Sequence, residues 1–175
     1  SVENDYLADG YWAMDRSQEL PAEGLTVTFL ESMTDVTKDV EKVLKKAKTA
    51  KDSTKAMKQL EANLTGKAVG DNKYLRARVY SMYGGNAYYL VVSKVYSDIR
   101  FVGAPPSSIG KFGADTDNWM WPRHTCDFSM FRVYADKENN PAPYSSDNVP
   151  YRPKQHLKIS LKGIQPNDYT MIIGY

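Results

Sequence analysis

Hydrophobic and polar positions divide the chain by period. Leu25-Thr26-Val27-Thr28-Phe29 alternates apolar and polar, the period-two signature of a strand with one buried face. Leu20-Pro21-Ala22-Glu23-Gly24 before it carries turn chemistry. From Thr34 the period lengthens. Val36, Val40, Val43, Leu44 and Ala47 recur at helical spacing, and Ala56, Met57, Leu60 and Leu64 repeat the pattern after Asp52-Ser53-Thr54. Two helices, or one broken helix, are therefore expected over about 34–65, with Thr34, Asp35 or Thr37 supplying the N-cap. The lysines on these helices alternate with Asp35, Asp39, Glu41, Asp52 and Glu61, which reads as a solvated face rather than an anion site.

Period two returns with Ala77, Val79, Ser81 and Tyr83 set against Arg76, Arg78, Tyr80 and Met82. Gly84-Gly85-Asn86 then signals a hairpin, because glycine adopts positive φ without strain. Ala87 to Tyr96 is the expected return strand, and Ile99-Arg100-Phe101-Val102 extends the sheet until Ala104-Pro105-Pro106 stops it. Residues 103–127 read as a long loop holding Trp119 and Trp121; ordered loops of this kind tend to carry function. Phe128 to Tyr134 is a further strand. Residues 141–153 form a proline-rich connector, and Leu157 to Leu161 and Tyr169 to Ile173 are two more strand patterns. The fold expected is mainly β with a helical insertion.

Composition narrows the function classes. The 175 residues are 42% hydrophobic and 25% charged, enough to bury a core. With 23 basic against 21 acidic side chains, the net charge of +2 lacks the surplus typical of a nucleic-acid binder. No apolar run nears the ~18 residues of a membrane span. Cys126 is the only cysteine, so no internal disulfide can form. Because the chain opens at Ser1 without Met and stops straight after the apolar run ending at Ile173, it is expected to be an internal piece of a longer protein.

The chemistry concentrates in Gly110 to Asp127, which gathers Asp115, Asp117, Asp127, His124, Cys126, Arg123, Trp119 and Trp121. Asp115, Asp117 and His124 could bind a metal, but neither EF-hand nor zinc spacing is present, and no metal or cofactor is expected. The competing reading is that Asp115 and Asp117 cap turns or pair with Arg123. Cys126 beside His124 lacks a third orienting group for a nucleophilic site, and a small buried residue is the plainer expectation. Asp127 leads into an apolar strand. It suits either a turn residue or the acid of a Ser-His-Asp triad whose histidine comes from another strand.

The run from Gly110 to Tyr134, with Asp117-Asn118-Trp119-Met120-Trp121-Pro122-Arg123-His124 as its most specific stretch, resembles the S46 family of serine dipeptidyl peptidases, the dipeptidyl-peptidase 7 and 11 group. Tyr88-Tyr89-Leu90 after the glycine pair, Val102 to Gly110, Asn148 to Pro153, and Ser1 to Leu7 are similar to the same family, so the resemblance spans the chain. It implies an incomplete trypsin-like double β-barrel. Residues 1–140 would be part of the first barrel, with the helical excursion at about 34–65, and 154–175 the opening strands of the second. It further implies a periplasmic, homodimeric parent enzyme that releases dipeptides from the free N-terminus of peptides. Asp127 matches the triad acid, and Asn118 and Trp119 match residues that hold the substrate amine. An asparagine oxygen can accept from an ammonium. The matching histidine and serine would lie outside these residues, so the chain alone is expected to be inactive. Ala114 and Cys126 stand where the family pattern has glycine, and Cys126 would be strained if that position takes positive φ. The rival class is a non-catalytic sugar- or peptide-binding module that uses Trp119 and Trp121 as an exposed platform.

Overall fold

The computed structural model describes residues 5–172. Ser1–Asn4, in the first stretch of family resemblance, and Ile173–Tyr175, at the end of the last strand pattern, lie outside the described residues. In chain order the elements are α1 (Tyr6–Asp9), β1 (Tyr11–Trp12), β2 (Leu20–Pro21), β3 (Val27–Asp35), α2 (Thr37–Leu44), α3 (Ala50–Val69), β4 (Leu75–Met82), β5 (Ala87–Tyr96), β6 (Ile99–Ala104), α4 (Ser107–Gly110), α5 (Ala114–Asp117), β7 (Met130–Ala135) and β8 (Val149–Pro150).

Two antiparallel sheets result. One runs β3-β5-β4. The other runs β1-β6-β7-β8, with β2 also paired to β6. Neither order closes on itself among the described residues, so the observed architecture is mixed sheet and helix.

The hairpin signalled by Gly84-Gly85-Asn86 forms: Met82 pairs with Ala87, and the ladder runs on to Leu75 opposite Lys94. Gly84 and Gly85 take φ of 65° and 93°, values at which a side chain would crowd its own backbone. The strand expected at Leu25–Phe29 starts at Val27 and continues to Asp35, because β5 offers it a partner edge as far as Tyr89. Thr34 is thus still in the strand. The N-cap position of α2 falls on Val36, which has no polar side chain to cap with; Asp35 just before it accepts from the Thr37 amide at 2.8 Å through Oδ1. Helix α3 starts earlier than the apolar spacing implies, since Thr49 and Asp52 cap each other: the Asp52 amide donates to Thr49 Oγ1 at 3.1 Å, and the Thr49 hydroxyl donates to Asp52 Oδ2 at 2.8 Å.

The helices cover one face of the three-stranded sheet. Val36, Val40 and Leu90 form a buried cluster, with Leu44, Met57, Leu60, Leu64, Ala77 and Val79 packed on it. Complete burial of Val40 alone is worth about 2 kcal/mol. A second cluster, Tyr96, Ile99 and Ala135, joins the two sheets where β5 passes into β6. Phe29 stacks on Tyr151 at 4.8 Å over this junction.

A buried polar network stiffens the five-stranded sheet. Arg100 donates from Nε and Nη2 to Asp98 at 3.0 and 2.9 Å, and Asn148 Nδ2 donates to the same carboxylate at 2.8 Å. Burial opposes ionisation of Asp98. The hydrogen bonds and charge of Arg100, with Asn148, outweigh it and hold the carboxyl below its usual range. Alongside, Glu19 accepts from Arg132 Nε at 2.7 Å and from the Tyr134 hydroxyl at 2.8 Å.

Leu157–Leu161 and Tyr169–Ile172 pair with no strand among the described residues; Leu161 is 96% and Ile172 98% exposed. Alternation supplies one apolar face, but a strand also needs a neighbouring edge for its N–H and C=O groups. No described helix is long and apolar enough to cross a membrane.

Candidate functional site

The site is built where β6 runs out. Gly103 in β6 lies so close to the Trp12 indole that a Cβ there would overlap the ring and come within 2.7 Å of the Tyr11 carbonyl oxygen. Gly10, at φ 72°, also approaches Pro106 closely: a Cβ at this position would stand 2.8 Å from the Pro106 nitrogen. These contacts bring the segment bearing α1 against the start of α4, and the Ser107 hydroxyl donates to the Leu7 carbonyl at 2.7 Å.

The chain then makes the turn of α4. From its far end the Ile109 carbonyl accepts from the Cys126 amide at 3.2 Å. That bond brings the returning limb back to the start of the loop and sets Asp127 beside Gly110. A Cβ at Gly110 would stand 3.9 Å from Asp127 Oδ1, ordinary contact distance.

Between these limbs lies the long loop expected from the sequence. It is less irregular than its composition suggests, since it contains α5 in addition to α4. Gly113 precedes α5 at φ 82° and lies so near Asp117 that a Cβ would meet the Asp117 Cβ at 2.7 Å. Only glycine suits that position. Ala114 follows at φ 50°, a left-handed conformation that costs an L-residue about 1–2 kcal/mol. Cys126 is not among the described residues with positive φ, so the strain expected there falls on Ala114 instead. Cys126 is also exposed, against the expectation of a small buried residue, because the limb that carries it runs over the surface.

The expected pairing of Arg123 with Asp115 or Asp117 is absent among the described residues. Asp115 is bridged by Lys111, one helical turn earlier. Arg123 instead donates from Nη1 to the Asn118 carbonyl at 3.1 Å and lays its guanidinium 4.5 Å from the centre of the Trp119 ring. An exposed cation–π contact of this kind contributes about 0.5–1 kcal/mol. His124 packs edge-on against Phe112 at 5.7 Å.

Asn118 and Asp127 line one cleft of about 320 Å³, together with Leu7, Pro105, Lys111, Phe128 and Ser129. The Asp127 carboxylate is exposed, and no hydrogen bond or ion pair reaches it among the described residues. Trp119 is 77% exposed beside this cleft but is not part of its lining. Trp121 is 86% exposed, and the two indoles make no ring contact with one another among the described residues. With one face of Trp119 under Arg123, a continuous aromatic platform finds no support here.

Leu7, Lys111 and Phe128 carry no mark in the sequence as cleft residues. Leu7 reaches the site through a contact spanning 100 positions, for which no local pattern exists. Lys111 and Phe128 adjoin Gly110 and Asp127 in the chain, and that closeness is the one available signal. Among the described residues, no three His, Cys, Asp or Glu side chains converge as metal ligands would.

Chemically, the cleft offers a carboxylate, Asp127, unpaired among the described residues, and an asparagine, Asn118, both in its lining. The carboxylate can orient and stabilise a cationic or N–H-bearing partner. The amide can accept from an ammonium and donate to a carbonyl.

Comparison with known proteins gives this arrangement a setting. The family model described as Peptidase S46 matches residues 1–175. The Asp/Glu-specific dipeptidyl-peptidase of Porphyromonas gingivalis is 51% identical over 180 residues, covering 100% of this chain and 25% of that protein. Dipeptidyl-peptidase 7 of Phocaeicola vulgatus is 50% identical over 184 residues, again covering 100% of this chain and 25% of the relative. Among solved structures, DPP11 of Porphyromonas endodontalis in complex with the dipeptide Arg-Glu superposes with a TM-score of 0.81 at 47% identity, over 94% of this chain and 24% of that one. The chain thus spans about a quarter of the length of the relatives it matches.

Proposed function

The chain belongs to the peptidase S46 family, and on that premise we propose that it supplies the triad acid and the amine-binding loop of a serine-type dipeptidyl aminopeptidase. The observation that carries this reading is that Asn118 and Asp127 line the same cleft.

In this reading Asp127 accepts from the Nδ1–H of a histidine that belongs to the rest of the protein. It fixes the tautomer whose other nitrogen can take the serine proton, and it stabilises the imidazolium that follows. An exposed carboxylate with no partner among the described residues suits that task, since nothing has to be broken before the histidine docks. His124 is not that base: its ring is turned against Phe112.

Asn118 accepts a hydrogen bond from the substrate's α-ammonium, and Trp119 flanks it. Anchoring the amine at a fixed distance from the triad sets cleavage two residues in, so the product is a dipeptide. The charge of Lys111, at the cleft wall, is offset by its bridge to Asp115, which leaves Asp127 to set the local sign.

The same reading makes the two sheets part of a trypsin-like double barrel in a periplasmic enzyme. The unpaired patterns at Leu157–Leu161 and Tyr169–Ile172 would be opening strands of the second barrel. The 175 residues alone would be inert, because an acid without base and nucleophile retains little catalysis.

The test uses the whole protein and paired peptides. A peptide with a free N-terminus is expected to lose its first two residues as a unit, and its N-acetylated twin to stay intact. Equal cleavage of both would overturn the assignment of an amine-anchored site.

A further inference from the structure

We propose that Arg123 is a positioning residue for the amine site, acting through Asn118 and Trp119 rather than on the substrate. The inference rests on the reading of that cleft given above.

The limb that carries Asn118 has little packing of its own. Trp119 and Trp121 are mostly in solvent, and Asp115 and Lys111 are engaged with each other. Backbone bonds hold α5 from within: the Asp117 amide to the Gly113 carbonyl at 3.0 Å, and the Met120 amide to the Asp117 carbonyl at 3.0 Å. Neither joins this limb to the one that returns toward Asp127. Arg123 does. Its Nη1 bonds the Asn118 carbonyl at 3.1 Å while the same guanidinium covers the Trp119 ring at 4.5 Å. Displacing the backbone at Asn118 and Trp119 away from the returning limb would carry the Asn118 side chain with it and would have to break both contacts. The limb is held in turn near Asp127 by the bond from the Cys126 amide to the Ile109 carbonyl. Arg123 therefore holds in place the loop segment that carries the group receiving the amine.

No carboxylate pairs with Arg123 among the described residues; its contacts are a backbone carbonyl and an indole face. Its planar shape is what both contacts use. Lysine, a compact point charge on a flexible stem, cannot stack flat on an indole and reach the carbonyl in one geometry.

The experiment is steady-state kinetics on the whole protein with a free-amine dipeptidyl reporter, for wild type, Arg123→Ala, Arg123→Lys and Asn118→Ala. Both Arg123 variants should raise KM about tenfold with kcat changed less than about threefold, the pattern of lost binding that is uniform between ground and transition states. Inhibition by a free dipeptide should weaken by the same factor, while inhibition by the N-acetylated dipeptide stays as in wild type. A residue that only stabilised the fold would instead lower the thermal midpoint and move both inhibitors alike. Wild-type KM in Arg123→Ala, or full recovery in Arg123→Lys, overturns the inference. If Asn118→Ala raises KM and Arg123→Ala does not, the role of Arg123 falls and the amine site stands. If Asn118→Ala also keeps the wild-type KM, the amine site itself falls, and this inference with it.

Discussion

The Cys126 amide donates to the Ile109 carbonyl over 3.2 Å, and through that bond the two ends of the Asn118 loop are closed beside Asp127. No hydrogen bond joins Asp127 to Asn118 among the described residues; they share a cleft because the backbone on either side of them is tied. The site is therefore a property of the loop's closure, and substitutions that loosen the loop should act on it without touching either side chain.

Ala114 is where the loop stores strain. At φ 50°, replacement by glycine should relieve about 1 kcal/mol. Ala114→Gly is expected to slow hydrogen exchange of amides between Ile109 and Asp127 by roughly fivefold, the factor that corresponds to 1 kcal/mol. Faster exchange across the loop would mean that the gain in backbone freedom outweighs the relief.

Gly103 tests the support beneath the cleft. Its missing side chain leaves room for the Trp12 indole. Gly103→Ala should cost about 1–3 kcal/mol as the ring and β1 are pushed off β6. Chemical denaturation reads the cost, and a shift in tryptophan emission should accompany it. Wild-type stability would show that β1 is not packed as described.

Asp98 gives a pH signature. Its folded-state carboxyl titrates below the ordinary 3.8, so its contribution to stability is present above that value and is lost as pH falls through the lowered one. Asp98→Asn should destabilise the protein at neutral pH by roughly 3 kcal/mol, as expected when a buried pair loses one partner. The gap to wild type should then narrow as pH drops below 3.8. Thermal midpoints measured from pH 7 downward check this. A gap that is constant across the acid range would place the effect elsewhere.

Much of the sheet and helix content can be read in the chain because its determinants are local. The glycine pair before Asn86 sets the hairpin, and the spacing from Val36 to Leu64 sets the two helices. The limits of β3 cannot be read, since they depend on how far β5 extends as a partner. The patterns at Leu157 and Tyr169 show the same rule from the other side: alternation without a neighbouring edge stays unpaired. In the loop, Asn118 and Asp127 stand out by resemblance. For Arg123 the sequence suggests a carboxylate partner, because opposite charges lie within reach along the chain. Its actual partners, a backbone carbonyl and an indole face, leave no mark in a charge pattern. The contribution of Leu7 depends on a contact between distant segments, which composition and period do not encode.

Asp127 decides the account. In the whole protein, Asp127→Asn keeps the side chain's shape and an oxygen that can still accept a hydrogen bond, so the variant should fold as the wild type does, with a thermal midpoint close to it. The kcat for release of a dipeptide from a free-amine substrate should fall by roughly 10⁴-fold, the loss expected when a triad histidine is left without its acid. A variant that folds normally and turns over within tenfold of wild type would remove Asp127 from the mechanism.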